Sequence, residues 1–518
     1  MSTAAVAAGA APRSTHWIIA PVVAIAAFME VMDISIANVA LPHIAGDLSS
    51  SQNESTWVLT SYLVTNAVVM PISGWLSNTF GRKRFFLTCI FGFTLSSMLC
   101  GFAPNLAALI GLRALQGATG GGLQPVAQAI LADSFPAEKR GMAAAIYGIA
   151  TVVAPTIGPT LGGWITDNYH WRWIFLINVP VGITLIMLVM SLIRERPPRI
   201  SGPLSVDWMG FCFVALALGS LQIVLDRGQD DDWFGSGFIT TLTLLSAVGF
   251  ALLIYWELRH PKPMVEVRLL GNKDFAVTFI LMLMLGFMVL GSTYLLPAYM
   301  QELMGYRAVD AGMALTPGGC VMLVLLPLVG RLINKVDTRL LVAIGLFIGG
   351  VSLLWMTDLY LGVTFRHIVL LRMFQAVSFA FLFVPINALA FRDIPPEKTN
   401  NASALINLAR NFGGSIGISF ASTLLTRREQ FHQSRIVEQL QALNPNYPDY
   451  THHLGSVLGT PADGSTTLAS IYQEVARQAA LLSYLDDFKA LGVIFLALLP
   501  LLLLVRPGKG VPKAAAAP

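Results

Sequence analysis

Charged residues are scarce in this 518-residue chain, where Asp, Glu, Lys and Arg make up 12% of the sequence and hydrophobic residues 55%. A soluble domain carries roughly 25% charged residues, so the composition excludes an ordinary soluble protein. It is typical of a chain that crosses a membrane several times. The net charge of +4 is small and scattered, which argues against a nucleic-acid partner.

Cysteine is also scarce, with four residues at Cys89, Cys100, Cys212 and Cys320. All four lie in apolar stretches, and their spacing matches neither a metal site nor a disulfide framework. We therefore expect four small buried side chains, with no metal, no cofactor and no catalytic residue.

Two further signals are missing from the sequence. The first 17 residues lack the basic region and small-residue cleavage site of a signal peptide, so the first apolar segment is expected to stay as a membrane helix. No nucleotide-binding loop occurs, which disfavours an ATP-driven pump.

Long apolar runs are abundant, and about 20 such residues suffice to span a bilayer. The sequence predicts an all-α polytopic membrane protein with fourteen spans. Their expected limits are 17–41, 55–79, 85–103, 105–132, 141–166, 172–193, 206–226, 237–257, 275–299, 309–333, 340–358, 362–391, 402–426 and 488–505. Twelve spans are the alternative.

Lys and Arg are distributed unevenly between the loops. If the N-terminus is cytoplasmic, the inside segments hold 21 of them and the short outside loops hold four. Positive residues favour the cytoplasmic side, so both termini are expected there. A long outside loop is then expected at 427–487, with helical stretches near 428–443 and 466–482. This loop is either a solvated cap or a docking surface for another protein.

The chain repeats itself at an offset of 259 residues. Residues 136–158 align with 395–417, and "RALQG" from Arg113 aligns with "RMFQA" from Arg372. Near this offset, "GWLSNTFGRK" from Gly74 aligns with "GRLINKVDTR" from Gly330. Repeated halves are a transporter architecture, in which the substrate site lies between the halves near the midplane.

The repeat predicts three parts of the chain. Residues 1–200 form a six-helix bundle, residues 201–268 form two inserted helices, and residues 269–518 form a second six-helix bundle that includes the 427–487 loop.

Four motifs in chain order carry a resemblance to a known family. They are "MDISIANVALP" at 32–42, "GWLSNTFGRKR" at 74–84, "RALQGATGG" at 113–121 and "APTIGPTLGG" at 154–163. Over nearly its full length the chain resembles the major facilitator superfamily. Within it, the chain is similar to the fourteen-span drug:proton antiporter family and its EmrB-type multidrug exporters. The resemblance implies two six-helix bundles with two inserted helices.

The motifs also imply roles for individual residues. A gating role is expected for the loop after the second span, with Gly74, Asn78, Gly81, Arg82 and Lys83. The family usually has an acid followed by a basic residue where this chain has Asn78 and Thr79, so a charge-based lock is expected to be weakened or differently built. The antiporter motif of the fifth span comprises Pro155, Gly158, Pro159, Gly162 and Gly163, and its bend and close contacts are expected to shape the outward seal.

Buried charges point to proton coupling. Arg113 lies inside the fourth span, where a charge costs roughly 2.5–3.5 kcal/mol, so it needs a partner, and Asp33 or Glu30 is the candidate. Glu30 and Asp33 are three residues apart and share roughly one helix face. Asp33 lies within the motif and is the predicted proton site. Glu30 is predicted either to tune that site or to contact a cationic substrate.

Three polar residues, Asn38, Gln116 and Arg410, are predicted to line the substrate cavity. The leading hypothesis is a proton-coupled exporter of lipophilic drugs in the bacterial inner membrane, working with a periplasmic adaptor and an outer-membrane channel. The alternatives are a proton-linked transporter of one specific metabolite and a transporter-like sensor that binds ligand without moving it.

Overall fold

The computed structural model describes residues 15–136, 139–193, 207–261, 263–439 and 465–506, with the single residues 452, 453, 456 and 461. These residues form α-helices with short 3₁₀ and π segments, and no β-strand occurs among them. The all-α prediction is confirmed.

The described helices of the first predicted bundle alternate with short turns. They are α1 (Thr15–Asp47), α2 (Gln52–Ser55), α3 (Trp57–Phe80), α4 (Arg82–Gly101), α5 (Leu106–Gly120), α6 (Leu123–Ser134), α7 (Arg140–Asn168), α8 (Trp173–Leu176) and α9 (Asn178–Leu192). Sequence signals set several of the ends. The Asn105 side chain caps α5 by accepting from Ala108 N at 2.9 Å. Gly81 adopts a φ of +88° between α3 and α4, a conformation that favours glycine.

The remaining helices cover the predicted insert and second bundle. The insert holds α10 (Trp208–Val214), a π segment (Ala215–Gly219), α11 (Ser220–Arg227) and α12 (Gly237–Arg259). The second bundle holds α13 (Lys273–Glu302), α14 (Ala308–Leu332), α15 (Thr338–Trp355), α16 (Phe365–Ala390), α17 (Thr399–Gln439) and α18 (Ser465–Ala497), followed by a 3₁₀ segment (Leu499–Leu504).

The fourteen predicted spans agree roughly with the structure. Within the described ranges, eleven helices are long and apolar enough to cross a membrane, or twelve if the two arms of α7, bent by 41°, count as one span. The other two predicted spans are also helical. One is interrupted between α5 and α6 at Gly121 and Gly122, and the other is α17, which is less apolar.

The 427–487 loop differs from the prediction because its two helical stretches are continuous with the neighbouring spans. The helix α17 runs to Gln439, and α18 already begins at Ser465. Arg428 Nε bonds Asp486 Oδ2 at 2.6 Å, which ties the two extensions together. The centre of the loop lies outside the described residues, apart from the four single positions.

Helices of each predicted bundle pack mainly on one another. In the second bundle α13 and α17 pack closely. Their backbones are so near each other that a Cβ added at Gly413 would lie 1.8 Å from the Leu283 carbonyl oxygen. Small residues allow such close approach between membrane helices. The two groups meet where α7 packs on α14 and α16, and where α17 packs on α3 and α6. The domain limits at 200 and 268 stay a prediction, and the first lies outside the described residues.

The expectation of four buried cysteines is wrong for two of them. Cys89 and Cys100 are buried, whereas Cys212 and Cys320 are exposed. An apolar stretch does not distinguish a helix face turned to the protein interior from one turned outward, because both faces are apolar in a membrane helix.

Candidate functional site

The centre of the first bundle holds a buried ion pair between Asp33 of α1 and Arg113 of α5. Arg113 Nη1 lies 2.5 Å from Asp33 Oδ2, and both side chains are almost inaccessible. Arg113 Nε also donates to the Val58 carbonyl at 3.1 Å, and its guanidinium lies 4.3 Å from the centre of the Tyr62 ring. Of the two acids that the sequence offered as a partner for Arg113, the structure selects Asp33.

Two amides complete the coordination of Asp33. Gln116 Nε2 and Asn178 Nδ2 both donate to Asp33 Oδ1, at 3.0 and 2.8 Å. Gln116 Oε1 in turn accepts from Arg113 Nη1 at 2.8 Å. Gln116 is fully buried in the Asp33 network, and its predicted place in the substrate cavity stays a prediction. Sequence reasoning missed Asn178, whose only signal was a carboxamide in an apolar run.

Glu30 has different surroundings from Asp33, although both belong to α1. Its Oε1 accepts from Asn66 Nδ2 at 2.9 Å, and its Oε2 has no hydrogen-bond partner among the described residues. The Gln124 amide and the Arg410 guanidinium lie close enough to interact electrostatically with this carboxyl. Each of the two carboxyls thus has its own partners on other helices.

Arg410 of α17 reaches across to the first bundle. Its Nη2 donates to Gln124 Oε1 of α6 and, at 3.0 Å, to Asn407 Oδ1 of its own helix. Asn407 Oδ1 also accepts from the Tyr147 hydroxyl at 2.8 Å. Arg410 therefore lies at the interface between the bundles, near Glu30.

Further amides join the bundles beside Arg410. Gln128 Nε2 donates to Asn387 Oδ1, and Gln128 Oε1 accepts from Ser403 Oγ at 2.9 Å. Gln128 and Asn387 are related by the repeat offset of 259 residues. Sequence reasoning missed these residues, and the signal was an amide at equivalent places of both halves.

Asn38 stands apart from these networks. It is exposed on the later part of α1, and no hydrogen bond involves its side chain within the described structure. Its predicted contact with substrate stays a prediction.

The gating motif lies where α3 meets the start of α17. Asn78 Nδ2 donates to Asn401 Oδ1 at 3.1 Å, and Asn400 Nδ2 donates to Asn78 Oδ1 at 2.5 Å. A Cβ at Gly74 would lie 3.0 Å from the Asn401 Cα and 3.1 Å from its backbone nitrogen, so glycine allows α3 and α17 to approach closely here. We call these three asparagines the amide clamp; whether they replace a charge-based lock stays a prediction.

The basic residues of the gating motif bind within the first bundle. Arg82 forms an ion pair with Asp133, and Lys83 Nζ donates to the Met190 carbonyl at 2.7 Å. Gly81 makes the turn that directs them there. Arg82 and Lys83 therefore stabilise the end of the first bundle. The contact that Asn78 makes with the second bundle involves uncharged side chains.

We expect that Asn78→Ala will loosen the amide clamp. Two hydrogen bonds of about 0.5–1.5 kcal/mol each are lost, which changes the open-to-closed ratio at this end by roughly tenfold. Hydrogen–deuterium exchange over residues 74–81 measures the change and should become faster.

Asn168→Ala is the matched control for the clamp variant. Among the described residues, Asn168 Nδ2 donates to the Trp164 carbonyl of its own helix and to no other group. Its removal should leave exchange over residues 74–81 unchanged. Equal exchange in the Asn78 variant and the wild type would show that the clamp does not hold this end closed.

The antiporter motif bends α7 and seats it on α1. Pro159 has no backbone N–H to bond the Pro155 carbonyl, and Ser35 Oγ donates to that carbonyl at 3.3 Å instead. A Cβ at Gly158 would lie 2.5 Å from Ser35 Cβ, and one at Gly162 would lie 3.2 Å from the Ile36 carbonyl oxygen. These glycines therefore pack within the first bundle.

Gly163 faces the other bundle. A Cβ at Gly163 would lie 3.3 Å from Val309 of α14. Gly312 lies one turn after Val309 on α14, and a Cβ there would lie 2.5 Å from Thr160 Oγ1 of α7. At the opposite end of α7, a Cβ at Gly141 would lie 2.5 Å from the Gly330 carbonyl oxygen. The helix α7 thus contacts α1 on one side and α14 on the other, near both of its ends.

A family model described as Major Facilitator Superfamily matches residues 23–418 of the chain. The chain belongs to the major facilitator superfamily. The resemblance predicted from the four motifs is confirmed. This facilitator is a multi-pass membrane protein, as its apolar helices require.

Individual relatives match the facilitator nearly end to end. It is 36% identical over 487 residues to the multidrug export protein EmrB of Escherichia coli strain K12, with 94% of each chain covered. It is 37% identical over 485 residues to the fatty acid resistance protein FarB of Neisseria gonorrhoeae, with 93% of this chain and 94% of FarB covered. The human organic anion transporter MFSD10 has a TM-score of 0.60 at 13% identity, covering 95% of this chain and 100% of that chain, which supports the fold alone.

Proposed function

We propose that this protein exports lipophilic drugs or other toxic compounds across the bacterial inner membrane in exchange for protons, with both termini in the cytoplasm. The observation that carries the proposal is the buried pair of Asp33 and Arg113. A proton that binds Asp33 removes the charge that holds Arg113, Gln116 and Asn178 in one arrangement. Loss of the proton restores that arrangement.

The packing of α1 connects this pair to the interface between the bundles. Asp33 and the residues that seat α7, Ser35 and Ile36, lie within one turn of α1. On its other side α7 packs on α14 of the second bundle. A change in the Asp33 network that moves α1 therefore also moves the helix on which the two halves rock, as alternating access requires.

Glu30 is proposed to act at the substrate side of the same helix. Two observations support this role: Glu30 Oε2 has no hydrogen-bond partner among the described residues, and the carboxyl lies near Arg410, which bridges the two bundles. It either tunes proton binding at Asp33 or contacts a cationic substrate. The names of the relatives, a multidrug export protein and a fatty acid resistance protein, favour lipophilic compounds as substrates.

Export from proteoliposomes under an imposed pH gradient tests the proposal. The wild-type protein should move a lipophilic drug against its gradient, and collapse of the pH gradient should stop it. Transport that ignores the pH gradient would remove the antiport mechanism. A panel of unrelated drugs separates a multidrug exporter from a carrier of one metabolite, and counterflow separates a carrier from a sensor.

We further propose that the protein works with a periplasmic adaptor and an outer-membrane channel. The ends of α17 and α18 (residues 427–439 and 465–487), here called the extension helices, are held by the Arg428–Asp486 ion pair. A second bond holds α18 to α13, where the Tyr484 hydroxyl donates to Glu302 Oε2 at 2.6 Å. The extension helices are thus braced, and they expose apolar side chains, including Leu468 and Tyr472. Exposed apolar side chains on a braced element suit a protein partner.

We expect that the double change Leu468→Glu and Tyr472→Glu will abolish cross-linking to the adaptor. The two residues are four apart on α18 and therefore share a face, which the change makes acidic. Export from proteoliposomes, which needs no adaptor, should stay at the wild-type rate. Tyr360→Glu, an exposed aromatic outside the extension helices, is the control. Undiminished cross-linking of the double variant would refute docking on this face.

A further inference from the structure

Tyr62 of α3 connects the surroundings of the two acids of α1. Its side chain is fully buried, and the Arg113 guanidinium lies 4.3 Å from the centre of its ring. The Glu30 and Asp33 carboxyls both lie close enough to the Tyr62 hydroxyl to interact with it electrostatically. One turn further along the same face of α3, Asn66 donates to Glu30 Oε1 at 2.9 Å. The Tyr62 ring therefore contacts the partner of Asp33, while its hydroxyl lies near Glu30.

Three buried polar atoms around this ring have no hydrogen-bond partner among the described residues. They are the Tyr62 hydroxyl oxygen, Glu30 Oε2 and Arg113 Nη2. A buried donor or acceptor without a partner is costly, and a hydroxyl that donates to a carboxylate oxygen relieves this cost for both groups. Gly120 of α5 has no side chain to crowd the hydroxyl, since a Cβ there would lie 3.0 Å from the hydroxyl oxygen. The structure thus contains the donor and the acceptor of a hydrogen bond that it does not form.

The position of the Tyr62 ring depends on the ion pair of Asp33 and Arg113. Arg113 Nη1 lies 2.5 Å from Asp33 Oδ2, and Arg113 Nε donates to the Val58 carbonyl at 3.1 Å. A guanidinium attracts the face of an aromatic ring, and the attraction is strongest where both groups are desolvated, as they are here. Because Asp33 fixes Arg113, Arg113 in turn holds the Tyr62 ring.

We propose that Tyr62 transmits the protonation state of Asp33 to Glu30. While Asp33 is charged, Arg113 holds the Tyr62 ring, and Glu30 Oε2 is free to contact a cationic drug. When a proton binds Asp33, Arg113 loses its carboxylate partner, the ring is released, and the Tyr62 hydroxyl donates to Glu30 Oε2. Tyr62 keeps its own proton in both states. We call this exchange of hydrogen bonds the Tyr62 switch.

The Tyr62 switch rests on the proposed export function, because it names the residue through which proton and drug exclude each other. The Tyr62 hydroxyl and a drug cation compete for the same oxygen of Glu30, so a proton that enters at Asp33 expels the drug. The other ionisable side chains that face Glu30 are Arg410, Tyr147 and Cys89. None of these three forms a hydrogen bond with Asp33 or Arg113 in the described structure. Tyr62 is therefore the positioning residue between the two acids.

Binding of tetraphenylphosphonium to the full chain in zwitterionic nanodiscs tests the switch, with empty nanodiscs as background. The charge of this lipophilic cation does not change with pH. Asp33→Asn imitates the protonated acid and should weaken binding at least about tenfold, because the Tyr62 hydroxyl then occupies Glu30 Oε2. Tyr62→Phe added to the Asp33→Asn protein keeps the ring and removes the hydroxyl, so it should restore binding to near the wild-type level. A tyrosine with a merely structural role would not give this recovery.

Tyr299→Phe is the matched control for the recovery. Tyr299 is also fully buried, but its hydroxyl donates to the Tyr360 carbonyl at 2.8 Å. Added to the Asp33→Asn protein, this substitution should leave tetraphenylphosphonium binding weak. Glu30→Gln alone should weaken binding as well, and Tyr62→Phe should then give no recovery, because the charged oxygen itself is gone.

A second measurement needs no change at Asp33 and so avoids folding problems in that variant. As the pH is lowered, the wild-type protein should lose tetraphenylphosphonium at a higher pH than the Tyr62→Phe protein, in which only protonation of Glu30 itself removes the cation. Identical pH profiles, or binding that stays weak in Asp33→Asn with Tyr62→Phe, would overturn the switch.

The failure of the switch can be told apart from the failure of the export function. Binding is measured without a pH gradient, so loss of antiport in proteoliposomes would reject the export function and leave the binding result intact. A wild-type protein that exports a neutral drug but does not bind tetraphenylphosphonium would reject the switch alone. Counterflow of a cationic drug by the Asp33→Asn protein should persist but need a correspondingly higher drug concentration.

Discussion

Asp33→Asn should abolish drug export driven by a pH gradient and leave exchange of drug down its own gradient intact. The amide cannot take up a proton, so the proposed protonation that releases Arg113 from Asp33 is lost. Counterflow needs no proton and should therefore persist. Proteoliposomes assayed in both modes give the two rates. Export by the variant at the wild-type rate would show that another group carries the proton, and Glu30→Gln would then be the variant to lose it.

The same substitution should also lower stability. Arg113 would remain buried without its carboxylate, and breaking a buried pair by removing one partner costs about 3–5 kcal/mol. Asp33→Asn combined with Arg113→Gln removes both charges and should recover most of the thermal stability without recovering export. This double variant separates loss of coupling from loss of folding, and Asp33→Glu, which keeps the charge, should retain part of the activity.

The second large effect is expected at the point where the bundles touch through glycine. Gly141→Val adds a side chain where a Cβ already lies 2.5 Å from the Gly330 carbonyl oxygen. A clash with backbone is not relieved by a change of rotamer, so the two bundles must separate at this end. Overpacking costs about 1–3 kcal/mol, and each 1.4 kcal/mol is about tenfold in an equilibrium constant. Export should therefore fall at least about tenfold.

Spin labels measure the separation directly. Thr88 of α4 and Glu397, just before α17, are exposed positions for a label on each half. Cys212 and Cys320 are exposed and must first be replaced by serine. The label-to-label distance should lengthen in Gly141→Val. Gly111→Val is the matched control, because a Cβ at Gly111 has nothing within 4 Å. An unchanged distance in the Gly141 variant would refute the close contact as a determinant of closure.

The position of each span was predictable because it depends on local properties. A run of apolar residues near 20 in length determines a membrane helix whatever its neighbours are, and every predicted span is helical in the described structure. The repeat was predictable for the same reason, since both halves keep their residues at a constant offset. The presence of a buried acid for Arg113 followed from the cost of an unpaired charge.

The choice among possible partners was not predictable. Glu30 and Asp33 are three residues apart, and only the rotation of α1 against α3, α5 and α9 brings Asn66 to the first and Arg113 and Asn178 to the second. These partners are separated by 36, 80 and 145 residues in sequence.

The amide clamp at Asn78 was likewise only partly predictable from the sequence. Its sequence showed that the usual acid was missing, but the replacement contacts lie 322 and 323 residues away on α17. Periodicity and hydropathy along one helix carry no information about how two helices cross. The sequence by itself therefore determined the spans, the repeat and the need to pair Arg113, whereas the tertiary structure decided which side chains meet, because those contacts depend on the rotation and crossing of helices distant in the chain.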